Sequence, residues 1–371
     1  MKYYLIAGEK SGDMHGAALI RALHAQDSEA HVRAWGGEDC QDAGAELAFH
    51  YKNASFIGFW EVFKNLGTIR KHLQFCKADL LAYKPDVLIL VDYPGFNLRM
   101  AEFAHQHGLR VVYYISPKIW AWNQGRVHKI KKYVQQIYCI LPFEEAFYKQ
   151  YGVEVHYVGN PLYDAIEQFQ PKTDWRSGQQ LDSKPLLALL PGSRVSELKY
   201  NLPDMIKAAQ ILAQKHGLET VVASLSHLSP ELYKPATDCG MKLVMDDAYQ
   251  LLAQAHVGII ASGTATLETA LFKVPQVVVY KMNTLTALIA KLVIKVKYVS
   301  LVNLIANREL VKELLQFDFT TERLVKEIEP LLGGIEREKM LQDYEALRSQ
   351  IQTEGVARRT AHLLIHWLRK P

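Results

Sequence analysis

The sequence predicts an α/β protein made of two doubly wound, Rossmann-like domains that face each other, followed by carboxyl-terminal helices. Residues 1–16 and 185–200 both read as an apolar strand, a Gly/Ser turn and a helix entry. Apolar runs of strand length alternate with helical segments, which is typical of parallel sheets covered on both faces. The length of 371 residues exceeds one ordinary core and fits two domains.

We place the first domain at residues 1–170 and the second at 185–335. Six strands are predicted in the first domain: Tyr3–Ala7, Val32–Trp35, Val87–Val91, Arg110–Ile115, Ile137–Leu141 and Val155–Val158. Five are predicted in the second: Leu186–Leu190, Thr220–Ala223, Lys242–Met245, Val257–Ala261 and Gln276–Tyr280. Between them, residues 168–185 are polar, rich in turn formers and aperiodic, which indicates a domain boundary. By analogy with other two-domain folds, we expect the helices of residues 336–371 to cross back and pack on the first domain.

The composition narrows the function without deciding it. With 49% hydrophobic residues, 22% charged residues and a net charge of +4, the chain is typical of a globular protein and lacks the charge of a nucleic-acid binder. Four scattered cysteines without a CxxC pair predict buried thiols in a reducing compartment, with neither disulfides nor zinc. The first apolar run is too short for a signal peptide, so we expect a cytoplasmic protein.

The segment GEKSGDMHG, which follows the first strand, is a candidate ligand loop. Its glycine spacing does not match a dinucleotide fingerprint, and the second predicted strand ends without an acidic residue, so an NAD site is not expected. The small residues Ser11 and Gly12 would let a ligand approach the backbone, and Glu9 and Asp13 would lie at the mouth of a cleft. The alternative is a tight turn whose glycines only serve the backbone.

A second candidate is Leu190-Pro-Gly-Ser-Arg194. Gly192 and Ser193 would present backbone N–H groups at a helix start, and Arg194 adds a fixed cation suited to a diphosphate. Such an arrangement can stabilise a departing nucleoside diphosphate without a metal. The alternative is a surface arginine that happens to follow a turn.

The segment SGTATLE also follows an apolar strand. Ser262, Gly263 and Thr264 would present hydroxyl and N–H groups at a helix start, and Glu268, one turn later, could accept the hydroxyls of a ribose. The alternative for Glu268 is an ordinary solvated helix residue.

Asp92 follows the buried strand Val87–Val91, where Pro94-Gly95 turns the chain outward. Ligands of open α/β sheets bind at the carboxyl ends of strands, so we expect Asp92 to face the cleft and act as a general base for an attacking hydroxyl. An aspartate that caps the next turn is the alternative.

Two segments combine an apolar helical face with basic residues. In residues 59–73 the apolar positions recur at helical spacing beside Lys64 and Lys71, and residues 284–297 repeat the pattern with Lys291 and Lys295. Such helices can lie on an anionic membrane or line an acyl channel, although ordinary core helices look the same.

Together, these segments resemble the lipid-A-disaccharide synthase family, inverting glycosyltransferases of the GT-B type. The resemblance spans essentially the whole chain and depends on the order and spacing of several segments, because SGTATLE alone also resembles other sugar-nucleotide enzymes. The segments are GEKSGD, the Asp92 loop, YISPKIWAW at 114–122, LPFE at 141–144, LPGSR, SGTATLE and NLIANRELVKELLQ at 303–316.

The resemblance implies transfer of 2,3-diacylglucosamine from UDP-2,3-diacylglucosamine to the 6-hydroxyl of 2,3-diacylglucosamine 1-phosphate, with inversion and no cofactor. Asp92, Arg194 and Asn303 match functional positions of the family, and Glu268 matches the ribose-binding acid of related transferases. One departure is Leu301-Val302-Asn303, where the family usually has Leu-Pro-Asn. Without that proline the backbone before Asn303 is less constrained, so the sequence leaves the pose of its side chain unset.

The acylated substrates lead us to expect peripheral association with the anionic inner face of the inner membrane, and a homodimer is a further expectation. Two alternatives stay open. One is another UDP-sugar enzyme of the same fold, such as an epimerase or a transferase with a non-lipid acceptor. The other is a non-catalytic lipid-binding protein.

Overall fold

A computed structural model of the chain describes residues 1–53, 66–284, 286–288, 294 and 296–370. The chain divides into two compact units. The first comprises Met1–Asp164 and Thr353–Pro371, and the second comprises Ala165–Gln352.

The strands, in chain order, are β1 (Lys2–Ala7), β2 (His31–Gly36), β3 (Glu46–His50), β4 (Val87–Val91), β5 (Arg110–Tyr114), β6 (Gln136–Cys139), β7 (His156–Tyr157), β8 (Leu186–Leu190), β9 (Glu219–Ser224), β10 (Lys242–Met245), β11 (Ala255–Ala261), β12 (Gln276–Tyr280) and β13 (Lys312–Leu315). The described α-helices are α1 (Lys10–Gln26), α2 (Glu38–Asp42), α3 (Leu66–Tyr83), α4 (Pro94–Gln106), α5 (Ile119–Trp122), α6 (Val127–Tyr133), α7 (Phe143–Lys149), α8 (Pro161–Glu167), α9 (Trp175–Gly178), α10 (Val195–His216), α11 (Lys234–Thr237), α12 (Ala248–Gln254), α13 (Thr264–Leu271), α14 (Leu301–Ala306), α15 (Thr321–Ile328), α16 (Ile335–Ile351) and α17 (Val356–Arg369). Short 3-10 turns lie at Tyr51–Asn53, Gln124–Arg126, Pro230–Leu232, Gln316–Asp318 and Glu329–Leu332.

The first unit contains a seven-stranded sheet with the order β3-β2-β1-β4-β5-β6-β7, and all its pairings are parallel. All five residues of β4 are buried, as central parallel strands require when helices cover both faces. The chain runs outward from β1 to β3 and then returns to place β4 beside β1. This reversal is the switch point at which open α/β sheets bind their ligands.

The second unit repeats this plan. Its six parallel strands have the order β10-β9-β8-β11-β12-β13, so the switch point lies between β8 and β11. All five residues of β8 are buried. The prediction of an α/β protein with two doubly wound parallel sheets is therefore confirmed.

Two strands were missed by the sequence reading, namely β3 and β13. Both lie at the edge of their sheet and each pairs with one neighbour only. Every residue of β3 is at least partly exposed, and β13 begins with Lys312 and Glu313. An edge strand needs no continuous apolar run, so the pattern that identifies central strands is absent from both.

The polar stretch that we predicted as the domain boundary belongs to the second unit. Trp175 is only 4% exposed, and its indole nitrogen donates a hydrogen bond to Asp247 at 2.9 Å. Arg176 in turn donates to the backbone oxygen of Gln254 at 3.2 Å. These contacts fix the stretch on its own sheet, and the division of the chain falls at Asp164–Ala165 instead.

Of the two carboxyl-terminal helices, only the last, α17, belongs to the first unit. Both oxygens of Asp164 accept backbone N–H groups at the start of α17, from Gly355 and Val356, each at 2.8 Å. Leu364 and Leu368 then join the apolar core beneath β1. The expectation that the terminal helices pack on the first domain therefore applies to residues 353–371.

Residues 336–352 differ from that expectation, because α16 packs on the second unit. The Tyr344 hydroxyl accepts a hydrogen bond from Gln276 at 3.2 Å, and Arg308 pairs with Asp343 at 2.5 Å. Tyr344 is 2% exposed, so this helix is anchored by a buried side chain rather than by surface contacts alone.

The four cysteines are free thiols. Cys40, Cys76 and Cys139 are buried, as expected, whereas Cys239 is exposed. The expectation of four buried thiols is corrected at this position, because Cys239 lies in a surface turn before Gly240, which has a φ of +77°.

Both basic amphipathic segments fall partly outside the described residues, at 59–65 and at 285, 289–293 and 295, so their interpretation stays a prediction. Among the helices that the structure does describe, none is long and apolar enough to cross a bilayer.

Candidate active site

The first candidate cluster lies at the switch point of the first sheet. Ala7 at the end of β1 pairs with Val91 at the end of β4, so the loops that follow these strands leave the sheet side by side. They approach closely: a Cβ added to Gly8 would lie 2.3 Å from the Tyr93 ring. Glycine is therefore required at position 8 for the loop after β4 to pack against the loop after β1.

Asp92 has an unusual backbone at the end of β4. Asp92 and Tyr93 both have left-handed dihedrals, with φ of +42° and +47°. Hydrogen bonds from Asn97 (2.8 Å) and the Tyr113 hydroxyl (2.5 Å) to the Asp92 backbone oxygen hold this conformation. Two consecutive non-glycine residues in the left-handed region cost about 1 kcal/mol each or more, and such strain clusters at functional sites.

The surroundings of Asp92 suit a general base. The pKa of its carboxyl is raised to about 6, chiefly by burial. The positive charge of Lys118 and the Tyr93 N–H lower this pKa, and the negative charge of Glu9 raises it. Within the described residues, no side chain donates a hydrogen bond to this carboxylate. At neutral pH the group is largely ionised and open to accept a proton.

The other residues predicted in the loop after β1 have different environments. Glu9 and Ser11 are exposed, and Glu9 is near enough to Asp92 for its charge to act on that carboxyl. Gly12 is buried, where a Cβ would lie 3.4 Å from the Ala7 side chain. This is an ordinary van der Waals distance, so packing alone does not require glycine at position 12, and its role as a substrate contact stays a prediction.

Asp13 does not lie at the mouth of a cleft as expected. It is fully buried and accepts three backbone N–H groups, from Gly37 (2.7 Å), Asp39 (3.1 Å) and Cys40 (3.2 Å). These donors belong to the first turn of α2, whose N–H groups have no partner within the helix. Asp13 is therefore a structural residue that fixes α2 against α1.

Glu144, in the LPFE segment, is a buried carboxylate that contacts the short helix α5. It is 1% exposed and accepts hydrogen bonds from the N–H groups of Ile140 (3.2 Å) and Leu141 (2.9 Å) and from the indole of Trp120 (3.3 Å). Burial raises its pKa to about 7. Glu144 thus anchors α5, directly after Lys118, whose charge acts on Asp92.

The second candidate cluster lies at the switch point of the second sheet. After β8 the chain turns through Gly192, which has a φ of +122°, and enters α10 with Arg194 as its N-cap residue. The Ser193 N–H donates to one oxygen of Glu197 at 2.8 Å, and Arg194 donates from Nη1 to the other at 3.1 Å. Glu197 thereby closes the turn, a role that the sequence reading missed.

We predict that Gly192→Ala destabilises the second unit by roughly 1–3 kcal/mol. The added Cβ would lie 2.5 Å from an oxygen of Glu197, and the left-handed φ strains any L side chain. Thermal unfolding would show a lower Tm. Gly178→Ala is the matched control, because nothing lies within 4 Å of its Cβ position. Equal Tm values for the two variants would contradict this account of the turn.

The SGTATLE segment reaches the same edge of the second sheet, because Ile260 in β11 pairs with Leu190 at the end of β8. The Ser262 hydroxyl donates to the backbone oxygen of Val299 at 3.1 Å, while Gly263 and Thr264 begin α13. The helix α13 therefore begins at the switch point, and binding of an anion at its N-terminus stays a prediction.

Glu268 is half-buried in α13. One of its oxygens accepts a hydrogen bond from the Tyr249 hydroxyl at 3.1 Å. Burial raises the pKa of Glu268, and the Tyr249 hydrogen bond opposes that rise. The sequence reading did not identify Tyr249, which fixes the carboxylate and leaves its second oxygen for another donor.

Asn303 is placed differently from a residue that contacts a ligand. Its side chain is fully buried and donates to the backbone oxygen of Val311 and to Glu313, each at 2.8 Å. Its amide oxygen accepts N–H groups from Leu310 (2.7 Å) and Val311 (2.9 Å). Both donors and both acceptor positions are thus used within the protein.

The missing proline therefore does not leave Asn303 loose, because these four hydrogen bonds fix its pose. Val302 is buried in α14, and the Ser300 side chain caps that helix by accepting the Asn303 N–H at 3.3 Å. In this structure Asn303 positions the loop that leads into β13.

The chain is similar to known proteins over nearly its whole length. The family model of lipid-A-disaccharide synthetase matches residues 3–365. A lipid-A-disaccharide synthase from Myxococcus xanthus is 39% identical over 370 residues, covering 98% of this chain and 97% of the relative. One from Acidobacterium capsulatum is 37% identical over 368 residues, covering 95% and 92%.

Solved structures share the fold at much lower identity. The UDP-GlcNAc 2-epimerase from Neisseria meningitidis, bound to UDP-GlcNAc, has a TM-score of 0.67 and 13% identity, with 100% of both chains covered. A glycosyltransferase of kitacinnamycin has a TM-score of 0.66 and 13% identity, with 98% of both chains covered. These matches confirm the predicted GT-B fold class and, at such identity, show the fold alone.

Proposed function

The chain belongs to the lipid-A-disaccharide synthase family, and we propose from this premise that it joins two acylated glucosamine units in lipid A biosynthesis. The donor is UDP-2,3-diacylglucosamine and the acceptor is the 6-hydroxyl of 2,3-diacylglucosamine 1-phosphate, with UDP as the second product. The observation that carries this proposal is the family match over residues 3–365, which includes both switch-point clusters.

The chemical step is an in-line displacement that inverts the anomeric centre. The acceptor oxygen attacks the anomeric carbon, the bond to the UDP oxygen breaks with its electron pair passing to UDP, and Asp92 takes the proton of the attacking hydroxyl. The raised pKa of Asp92 supports this role. A general base with a pKa near neutrality is ionised before the reaction and basic enough to accept the proton of the hydroxyl.

The second unit would hold the donor. The Gly192–Arg194 turn offers a guanidinium and a helix N-terminus to the diphosphate, and Arg194 has 61% of its side chain exposed. Ser262, Gly263 and Thr264 would add hydroxyl and N–H groups, and Glu268 would accept the ribose hydroxyls with its remaining oxygen. In the first unit, Glu9, Ser11 and Gly12 stay proposed as substrate contacts, with Gly12 acting only through its backbone.

We predict that kcat/KM falls tenfold per pH unit below about pH 6. The folded-state pKa of Asp92 is about 6, so protons at lower pH occupy the carboxylate that must accept one. A pH–rate profile with saturating acceptor measures this. A profile that stays flat down to pH 5 would contradict the assignment of Asp92 as the base.

Acyl chains on both substrates suggest that the enzyme works at a membrane surface, and we propose peripheral association with an anionic cytoplasmic face. Sedimentation with vesicles of anionic phospholipid should retain the protein at low salt, because basic residues contribute roughly 1 kcal/mol each there. Vesicles of neutral lipid are the control, and equal retention on both would contradict an electrostatic contribution.

A homodimer also stays a prediction, which analytical ultracentrifugation checks.

UDP release with both acylated sugars tests the proposed function. A transferase releases UDP only when donor and acceptor are both present. An epimerase would convert the donor without acceptor, and a non-catalytic lipid-binding protein would release nothing. Either of these outcomes would replace the proposal.

A further inference from the structure

The carboxylate of Glu197 contacts the Gly192–Arg194 turn, and the proposed chemistry does not use it. The Glu197 side chain is 9% exposed, whereas that of Arg194, which it contacts, is 61% exposed. One oxygen accepts the Ser193 N–H at 2.8 Å and the other accepts Arg194 Nη1 at 3.1 Å. A buried acid is thus hydrogen-bonded to the turn that we propose as the binding site of an acidic ligand.

The backbone is built around this carboxylate. Gly192 takes a φ of +122°, and a Cβ there would lie 2.5 Å from an oxygen of Glu197. Asn201, one turn further along α10, donates to the Pro191 oxygen at 3.1 Å and accepts the Lys281 N–H at 2.9 Å. Hydrogen bonds with Glu197 and Asn201 therefore fix the turn, and Glu197 makes two of them.

Two roles are conceivable for an acid in this position, and they predict opposite results. Glu197 could occupy the place of a phosphate and compete with the ligand, or it could hold the donors in place for the ligand. Geometry favours the second role. A guanidinium has five N–H donors, and within the described residues Glu197 takes one of them, so the others remain for a diphosphate.

We propose that Glu197 is a positioning residue for the diphosphate of a nucleoside diphosphate ligand: it fixes the Arg194 guanidinium and the Ser193 amide before the ligand binds. Preorganisation of this kind lowers the entropy that a long, exposed arginine would otherwise lose on binding. The inference rests on the proposed function, in which this turn binds UDP.

Glu197→Gln tests the role with little change in shape. In either orientation of the new amide, one of the two donors faces an NH2 group, so one hydrogen bond is lost. We expect calorimetry to show about a tenfold weaker affinity for UDP, the usual effect of losing one charge-assisted hydrogen bond, and an unchanged affinity for uridine. Glu231→Gln, an exposed acid in the same unit, is the matched control.

Glu197→Asp separates charge from reach, because it keeps the charge but is too short to contact both partners. Positioning predicts weaker UDP binding for both variants, whereas competition predicts tighter binding for Glu197→Gln. Circular dichroism at the calorimetry temperature confirms that each variant is folded.

The double variant completes the test. If Glu197 acts in part through Arg194, Glu197→Gln weakens UDP binding less in the Arg194→Ala background than in the unsubstituted protein, and the remaining effect comes from the Ser193 amide. Unchanged or tighter UDP binding by Glu197→Gln, or full additivity in the double variant, would overturn the inference. Absence of UDP binding by the unsubstituted protein would instead overturn the proposed function on which the inference rests.

Discussion

Asp92→Asn is expected to lower kcat by about 10²- to 10⁴-fold while leaving the affinity for UDP unchanged, because it removes the group that accepts the proton of the attacking hydroxyl. Asparagine suits this position better than other replacements. The backbone of Asp92 is left-handed, with a φ of +42°, and asparagine adopts that region readily. A loss of activity therefore reports on proton transfer rather than on a displaced loop.

The stability of the same variant provides an independent check. Folding raises the pKa of Asp92 from 3.8 to about 6. The carboxylate therefore destabilises the folded state fully above about pH 6, and this cost is absent below about pH 4, where the group is protonated in both states. Asp92→Asn should therefore have a higher Tm than the unsubstituted protein at pH 8 and a similar Tm at pH 4. An exposed aspartate of the same unit, Asp42, provides the control substitution Asp42→Asn.

Unchanged turnover in Asp92→Asn would remove Asp92 from the mechanism.

Arg194→Ala is expected to weaken UDP binding by about 10- to 100-fold, since hydrogen bonds to charged groups contribute roughly 1.5–3 kcal/mol. The side chain is 61% exposed and donates one hydrogen bond within the described residues, to Glu197, so its removal should change the fold little. Turnover should fall as well, because the guanidinium also stabilises the charge that develops on departing UDP. Calorimetry with UDP, and with uridine as the ligand without phosphate, measures the binding effect.

Lys199→Ala is the matched control for charge. Lys199 is an exposed cation in the same helix, and its ammonium lies 5.8 Å from the Tyr200 ring centre. If a general positive potential attracted UDP, both variants would weaken binding to a similar degree. A specific contact predicts a large effect for Arg194→Ala alone, and equal losses would contradict it.

Central strands could be predicted well because burial on both faces forces a continuous apolar run. Leu186–Leu190 and Val87–Val91 end where the sequence indicated. The edge strands β3 and β13 could not be predicted in this way, since each has an open side and tolerates charged residues. The assignment of α16 and α17 to different units was also not readable, because buried apolar positions in a helix do not specify which sheet the helix packs on.

The positions of Asp92 and Arg194 at the switch points could be predicted, because each follows a buried strand, while their roles stay predictions. Prediction was less successful where a polar side chain satisfies the backbone. Asp13 and Asn303 have the residue types of ligand-binding groups, yet both are buried and hydrogen-bonded within the protein. Conversely, Glu197 reads as an ordinary helix residue. Its role depends on a glycine turn five residues earlier, whose dihedrals the sequence does not specify.

The central claim is that this chain joins two acylated glucosamines with inversion. Mass spectrometry and NMR of the products, after incubation with UDP-2,3-diacylglucosamine and 2,3-diacylglucosamine 1-phosphate, test it most directly. We predict a tetra-acylated disaccharide 1-phosphate with a β(1→6) linkage, together with an equal amount of UDP. Unreacted acceptor beside an epimerised or hydrolysed donor would contradict the account.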